Sequence, residues 1–213
     1  MTLSNLKPWA IRFALGLGLL YAAWWWLRAD LAIIAGLKVV MESWLPALFS
    51  DLKRLTTAPS GGWLLHTAIA PVNDPTVNLT LEVDLVFLRR AITWVPAVMA
   101  LVWATAPHVP RRWIEALIAV LVTSTLLVTI CVAAHLAVLV NGTPSLLDDA
   151  TLPKPPDFPT TALPYPVGYF HAVTFAFYLT VIVAPMVMPV LLWGWVCRKE
   201  LLTKVERHSP QRR

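Results

Sequence analysis

The sequence predicts an all-α membrane protein with four transmembrane helices, an amphipathic surface helix and a small extracytoplasmic β-hairpin. Three observations predict it. Hydrophobic residues make up 58% of the 213-residue chain, only 14% are charged, and the mean hydropathy is +0.66, far from the composition of a water-soluble domain. Four apolar stretches approach or exceed the ~20 residues that a helix needs to cross the hydrocarbon core. The basic residues gather in alternate polar breaks between those stretches, a bias that orients membrane proteins. No internal repeat is visible, so residues 1–213 read as a single integral membrane domain.

The first span is expected at 9–27. Lys7 and Arg12 precede the apolar run 13–21 in the manner of a signal peptide, but no small-residue cleavage site follows, so the span is expected to be retained. Trp24, Trp25 and Trp26 close it, as amphipathic rings do at the headgroup level. An extracytoplasmic insert follows over 28–90. Within it, Ile33, Ile34, Leu37, Val40, Met41, Trp44, Leu45 and Leu48 recur near helical spacing, with Lys38, Glu42 and Ser43 on another side. Segment 31–55 therefore reads as an amphipathic helix lying on the surface, with a fifth crossing as its rival.

Gly61 and Gly62 end that pattern and two extended runs follow, 63–69 and 77–88. In the second, Val77, Leu79, Leu81, Val83, Leu85 and Phe87 alternate with Asn78, Thr80, Glu82 and Asp84, the period of a half-buried strand. Pro71, Asn73, Asp74 and Pro75 supply turn chemistry between the runs. The second span is expected at 91–106, with Pro96 tolerable in its first turn. The break at Pro107, His108, Pro110, Arg111 and Arg112 leads to the third span, 113–140. An outer loop at 141–166 contains seven prolines and excludes helix. The last span is 169–196, with Pro185 and Pro189 expected to bend it.

Lys7, Arg12, Arg111, Arg112, Arg198, Lys199, Lys204, Arg207, Arg212 and Arg213 fall on one side with only three acids, Glu115, Glu200 and Glu206. The other side holds the remaining seven basic and nine acidic residues. Both termini are therefore expected in the cytoplasm, with the hairpin and proline-rich loop facing out. The net charge of +5 is explained by topology, because the basic residues flank apolar segments and form no stripe with interleaved aromatics; nucleic acid is not expected as a partner. Expected partners are the lipid bilayer and other integral membrane proteins.

Few residues offer chemistry. Cys131 and His135, four apart on one helix face, pair a thiol with an imidazole, a combination that can make a nucleophile and its base. The plainer reading is a small buried cysteine and an interfacial histidine. His171 sits among Tyr165, Tyr169, Phe170, Phe175 and Tyr178, where a cofactor ligand or an aromatic belt would both fit. No metal-ligand spacing is present, and neither metal nor cofactor is expected. Glu82, Asp84, Arg89, Arg90, Asp148 and Asp149 are the outward charges expected to meet a partner. Asn78-Leu-Thr80 and Asn141-Gly-Thr143 fit the glycosylation sequon. Gly16 and Gly18, with Ala14 and Ala22, offer small surfaces for close helix contact.

The order of these features resembles a family of small bacterial inner-membrane proteins associated with exosortases, the membrane enzymes that process C-terminal sorting tails. The resemblance lies in FALGLGLLYAAWWWL, in the surface helix ending near Leu55, and in the strand passing directly into a helix (VNLTLEVDLVFLRRAITWVPAVMALVWA). It continues in PHVPRRW and PVLLWGWVCRKELLTKV, and the proline-rich outer loop departs from it. The resemblance implies an accessory protein of envelope sorting or assembly in the bacterial inner membrane, without a reaction of its own. Exosortases use a cysteine, an arginine and a histidine; this chain has Cys131 and His135 but no arginine within the spans to complete such a set. Two other readings stand beside the accessory subunit. One is a structural or cofactor-holding subunit of a respiratory, photosynthetic or secretion complex; the other is a membrane thiol enzyme using Cys131 and His135.

Overall fold

The computed structural model describes residues 3–141 and 160–201, with side chains from residue 7 onward. Helix α1 covers Leu3–Trp26, α2 Ala29–Leu48, α3 Leu85–Ile92, α4 Val95–Thr105, α5 Pro110–Asn141, α6 Val167–Tyr178 and α7 Ala184–Val196. Three strands, β1 Leu52–Thr57, β2 Trp63–Thr67 and β3 Thr80–Val83, form one antiparallel sheet in the order β1-β2-β3. The chain divides into two compact units, one drawn from Met1–Asp30, Ile92–Thr123 and Ala184–Arg213, the other from Leu31–Ala91 and Ser124–Val183.

Among the described residues, four helical segments are long and apolar enough to cross a membrane: Ala29–Leu48, Leu85–Thr105, Pro110–Asn141 and Val167–Val196. The last three overlap the expected second, third and fourth spans. The other is α2, expected on the surface with a crossing as its rival. Helix α1 is not among the four, because Lys7, Arg12 and its tryptophans lower its mean hydropathy. Its 24 residues still extend about 36 Å, beyond the roughly 30 Å of a hydrocarbon core.

In the first unit, α4 packs on α1 and on α7, and one hydroxyl joins all three helices. Thr105 Oγ1 accepts the indole N–H of Trp9 at 3.2 Å and that of Trp193 at 2.8 Å, and donates to the Leu101 carbonyl at 2.9 Å. A hydroxyl has one donor and two acceptor lone pairs, so this one is saturated. Tyr21 adds a hydrogen bond to the Thr93 carbonyl at 2.8 Å. Gly16 faces Trp103, whose ring would lie 2.3 Å from a Cβ at that position, whereas Gly18 has nothing within 4 Å. Only the first of the two glycines is thus required for helix contact within the fold. At one end of this unit the buried Arg112 donates to Glu115 at 2.5 Å and to Glu200 at 2.7 Å, tying the start of α5 to the segment after α7.

In the second unit α2 buries Ile34, Leu37, Met41 and Leu45 on one side, while Glu42, Ser43, Val39 and Val40 are exposed. Val40, expected on the buried face, is thus displaced from it. The expected two-stranded hairpin is a three-stranded sheet. Its extra strand, β1, lies at the end of the segment read as helix, beyond the periodic apolar positions that stop at Leu48. A register shift between Leu52 and Arg54 brings both Leu52 and Leu55 to the buried side of the strand, as a bulge allows. The second correction concerns the long alternating run. It stays extended only over Thr80–Val83 and then becomes α3, because Asp84 caps the helix: its Oδ1 accepts the Val86 N–H at 2.7 Å. Helix α4 then starts with Pro96 in its first turn, as expected.

The last apolar helix contains a π-helical turn at Leu179–Val183, which ends two residues before Pro185. Proline lacks an N–H and its ring presses on the carbonyl of the preceding turn, which a wider turn relieves. Cys131 and Cys197 are both buried, and no disulfide joins them.

Thr105→Val keeps the volume and leaves two indole donors in apolar surroundings. In mild detergent it is expected to lower stability by about 1–2 kcal/mol, read as an earlier thermal transition in tryptophan fluorescence. Gly16→Ala is expected to lower the same transition, whereas Gly18→Ala leaves it in place.

Candidate interaction site

The sheet has two unlike faces because its residues alternate. Leu55, Trp63, Leu65 and Val83 are buried on one face. The register places Arg54, His66 and Thr80 in one row on the other face, and Thr56, Leu64 and Glu82 in the next. Hydrogen bonds cross this polar face: the Thr56 hydroxyl pairs with His66 Nε2 at 2.7 Å, and Thr80 approaches His66 Nδ1 at 3.5 Å. In the turn from β1 to β2, Ser60 donates to the Glu82 carboxylate. That turn requires its glycines. Gly61 has φ +86°, and a Cβ on Gly62 would lie 2.4 Å from the Val83 carbonyl oxygen.

The outward charges do not form one cluster. Glu82 is exposed on β3, whereas Asp84, expected on the same strand face, is the cap of α3. Arg89, half-buried, and Arg90, exposed, lie in the last turn of α3, where cations complement the helix dipole. Asp148 and Asp149 lie outside the described residues, as do Lys204, Glu206, Arg207, Arg212 and Arg213.

A set of contacts not foreseen in the sequence holds the two ends of the outer loop. The Asn141 side chain acts as a peptide mimic: its amide donates to the Tyr165 carbonyl at 2.9 Å and its oxygen accepts the Tyr165 N–H at 3.0 Å. Both functions of the buried Asn141 amide are thereby engaged, which removes it as a glycosylation acceptor. Tyr165 donates its hydroxyl to Asp51 at 2.9 Å. Thr161 bonds the backbone of Ala70, donating its N–H at 2.8 Å and its hydroxyl at 3.1 Å to the carbonyl. Burial, reinforced by the bond to Asp51 and the Asp51 charge, raises the pKa of Tyr165 above the ordinary tyrosine value. The signal available in the sequence was Asn141 directly after an apolar helix, a residue whose side chain readily replaces a backbone partner.

The thiol–imidazole candidate takes a different form. His135 Nδ1 lies 2.6 Å from the carbonyl oxygen of Cys131, so it donates to the backbone. Its ring stands edge-on to Phe87 and Phe177, with centroids 5.7 and 5.5 Å away, and the two phenyls are 5.4 Å apart. This arrangement is a packed aromatic trio. His171 is exposed and contacts the Phe170 ring edge at 5.6 Å. Among the described residues no group of three or more His, Cys, Asp and Glu side chains is arranged to hold a metal ion.

A family model described as exosortase H-associated membrane protein matches residues 3–200. No curated protein and no solved structure matches the chain.

The raised pKa of Tyr165 fixes the sign of a pH effect. The contribution of the Tyr165–Asp51 bond is complete below the ordinary tyrosine pKa and is lost as pH rises through the folded value. Tyr165→Phe should therefore narrow the gap to wild type only in strongly alkaline solution, and should remove the corresponding tyrosinate absorbance step. Asp84→Ala is expected to cost about 1 kcal/mol of stability and Asp84→Asn a fraction of that, by thermal unfolding in detergent.

Proposed function

We propose, from the premise that the chain belongs to the exosortase H-associated membrane protein family, that it is a non-catalytic accessory subunit of a protein-sorting complex in the bacterial inner membrane. It is a multi-pass membrane protein; in this reading both termini are cytoplasmic and α1 crosses while α2 lies at the surface. The sheet and the clamped outer loop then face out and dock a partner, an exosortase or its substrate protein.

One observation carries this reading. Groups with chemical potential are committed to structure: the Asp84 carboxylate to a helix start, His135 to a backbone carbonyl and Asn141 to a loop. The polar sheet face, where Thr56 holds His66 and Ser60 holds Glu82, presents the exposed Arg54 and Glu82 on a glycine-shaped frame. Such a pattern supports binding better than catalysis, because a catalytic set needs converging groups aimed at a common point. Glu82, Arg89 and Arg90 are the charges proposed to meet the partner, with Asp148 and Asp149 contributed by the outer loop.

Arg54→Glu with Glu82→Lys reverses two charges on the two outer strands of the sheet and leaves the net charge unchanged. The variant should reach the membrane at wild-type level while recovery of the companion exosortase after mild solubilisation falls about tenfold or more. Undiminished recovery would remove the sheet face from the interface. An alkaline phosphatase reporter placed after Asp74 is expected to be active and one at the C-terminus inactive; the reverse pattern would overturn the orientation.

A further inference from the structure

An edge strand carries a row of backbone donors and acceptors that natural sheets pair, cover or guard. The order β1-β2-β3 makes β1 and β3 the edges, and the two differ. β1 has the usual guards: an irregularity between Leu52 and Arg54, the exposed cations Lys53 and Arg54, and Tyr165 bonded to Asp51 just before it. β3, with the sequence TLEV, contains no lysine and no proline, and its register with β2 is unbroken.

The direction of the β3 backbone follows from its pairing. The Leu79 carbonyl accepts the Thr67 N–H at 3.1 Å, and the Val83 carbonyl oxygen faces Gly62, so both residues point toward β2. Direction alternates along an antiparallel strand, so Leu81 does the same, and Thr80 and Glu82 turn their N–H and C=O groups to the open edge. Among the described residues none bonds those backbone groups. The side chains of the same two residues are engaged over the sheet instead: Thr80 lies 3.5 Å from His66 Nδ1, and Glu82 takes the Ser60 hydroxyl from the β1–β2 turn. Neither therefore shields the edge.

Such an edge fits an extended backbone, and its charge selects which one. Glu82 and Asp84 are exposed two residues apart, and β3 has no cation. Pairing with β3 of a second copy would set the two Glu82 carboxylates opposite or diagonal to each other, like charges that oppose it. A basic residue in that place is favoured for the same reason.

We infer that the β3 edge takes up an extended peptide segment of the docked protein as a fourth, antiparallel strand, with a lysine or arginine opposite Glu82, an apolar residue opposite Leu81 and a small polar residue opposite Thr80. The inference rests on the docking reading above and names the part of the partner that is held. Thr80 and Glu82 each supply one backbone donor and one acceptor to the added strand.

The test uses the full-length protein in neutral detergent and three labelled peptides followed by fluorescence anisotropy. The first is acetyl-Thr-Val-Lys-Val-Thr-Val-amide. The second has Glu in place of Lys. The third is the first with N-methyl groups on Lys and on the Thr two residues after it, which keeps charge and side chains but removes the donors aimed at Glu82 and Thr80. The first peptide should bind, and the other two should bind about tenfold more weakly or worse. Thr80→Pro removes an outward N–H that β2 does not use and should weaken the first peptide about fivefold; should that variant fail to fold, the comparison of peptides on the wild-type protein still decides. No binding of the first peptide, equal binding of the N-methylated or the Glu peptide, or wild-type binding by a folded Thr80→Pro protein would each overturn strand addition. Recovery of the companion exosortase with the charge-reversed variant is read separately, so a failure here and a failure of the docking reading give different results.

Discussion

A polar group removed from water must find its partners inside the protein, and in a membrane protein water is absent over most of the chain. The Thr105 hydroxyl meets that constraint for three helices at once. Its lone pairs take the Trp9 and Trp193 indoles and its proton goes to the Leu101 carbonyl. The tryptophans contribute large apolar bodies to the packing of α1 and α7 while their N–H groups converge on α4. Position along each helix is thereby specified, which apolar contact alone does poorly because it is non-directional. Gly16 against Trp103 performs the steric part of the same task.

The second unit obeys the constraint with backbone mimicry. Asn141 replaces a missing strand neighbour for Tyr165, Thr161 does so for Ala70, and Asp84 supplies the acceptor that a helix start lacks. These three short polar side chains close off the irregular parts of the chain where regular ladders stop. The aromatic trio of Phe87, His135 and Phe177 shows the complementary solution, a polar ring held among apolar ones with its Nδ1–H satisfied locally by the Cys131 carbonyl.

Sequence patterns revealed the long helices and the two strands, because hydrophobic length and period-two alternation are local properties. The errors arose where a single residue overrides a pattern. Alternation continued through Leu85 and Phe87, yet Asp84 begins a helix there, and a capping residue carries no weight in a count of apolar positions. Segment 31–55 was read as helix to its end although the periodic apolar positions stop at Leu48, and the residues from Leu52 pair as a strand. Sites were less legible than fold. Cys131 and His135 were correctly expected on one helix, but the direction of the imidazole N–H depends on a rotamer. Nothing local in Tyr165 or Asp51, more than a hundred residues apart, announces their bond. Arg112 was counted as an orienting charge, and its burial between two glutamates is a tertiary fact.

The π-helical turn at Leu179–Val183 holds one residue more than an α-helical turn would. Every side chain after it is therefore out of phase by about 100° relative to an uninterrupted helix. A lone insertion or deletion within the turn would alter that phase as no substitution can.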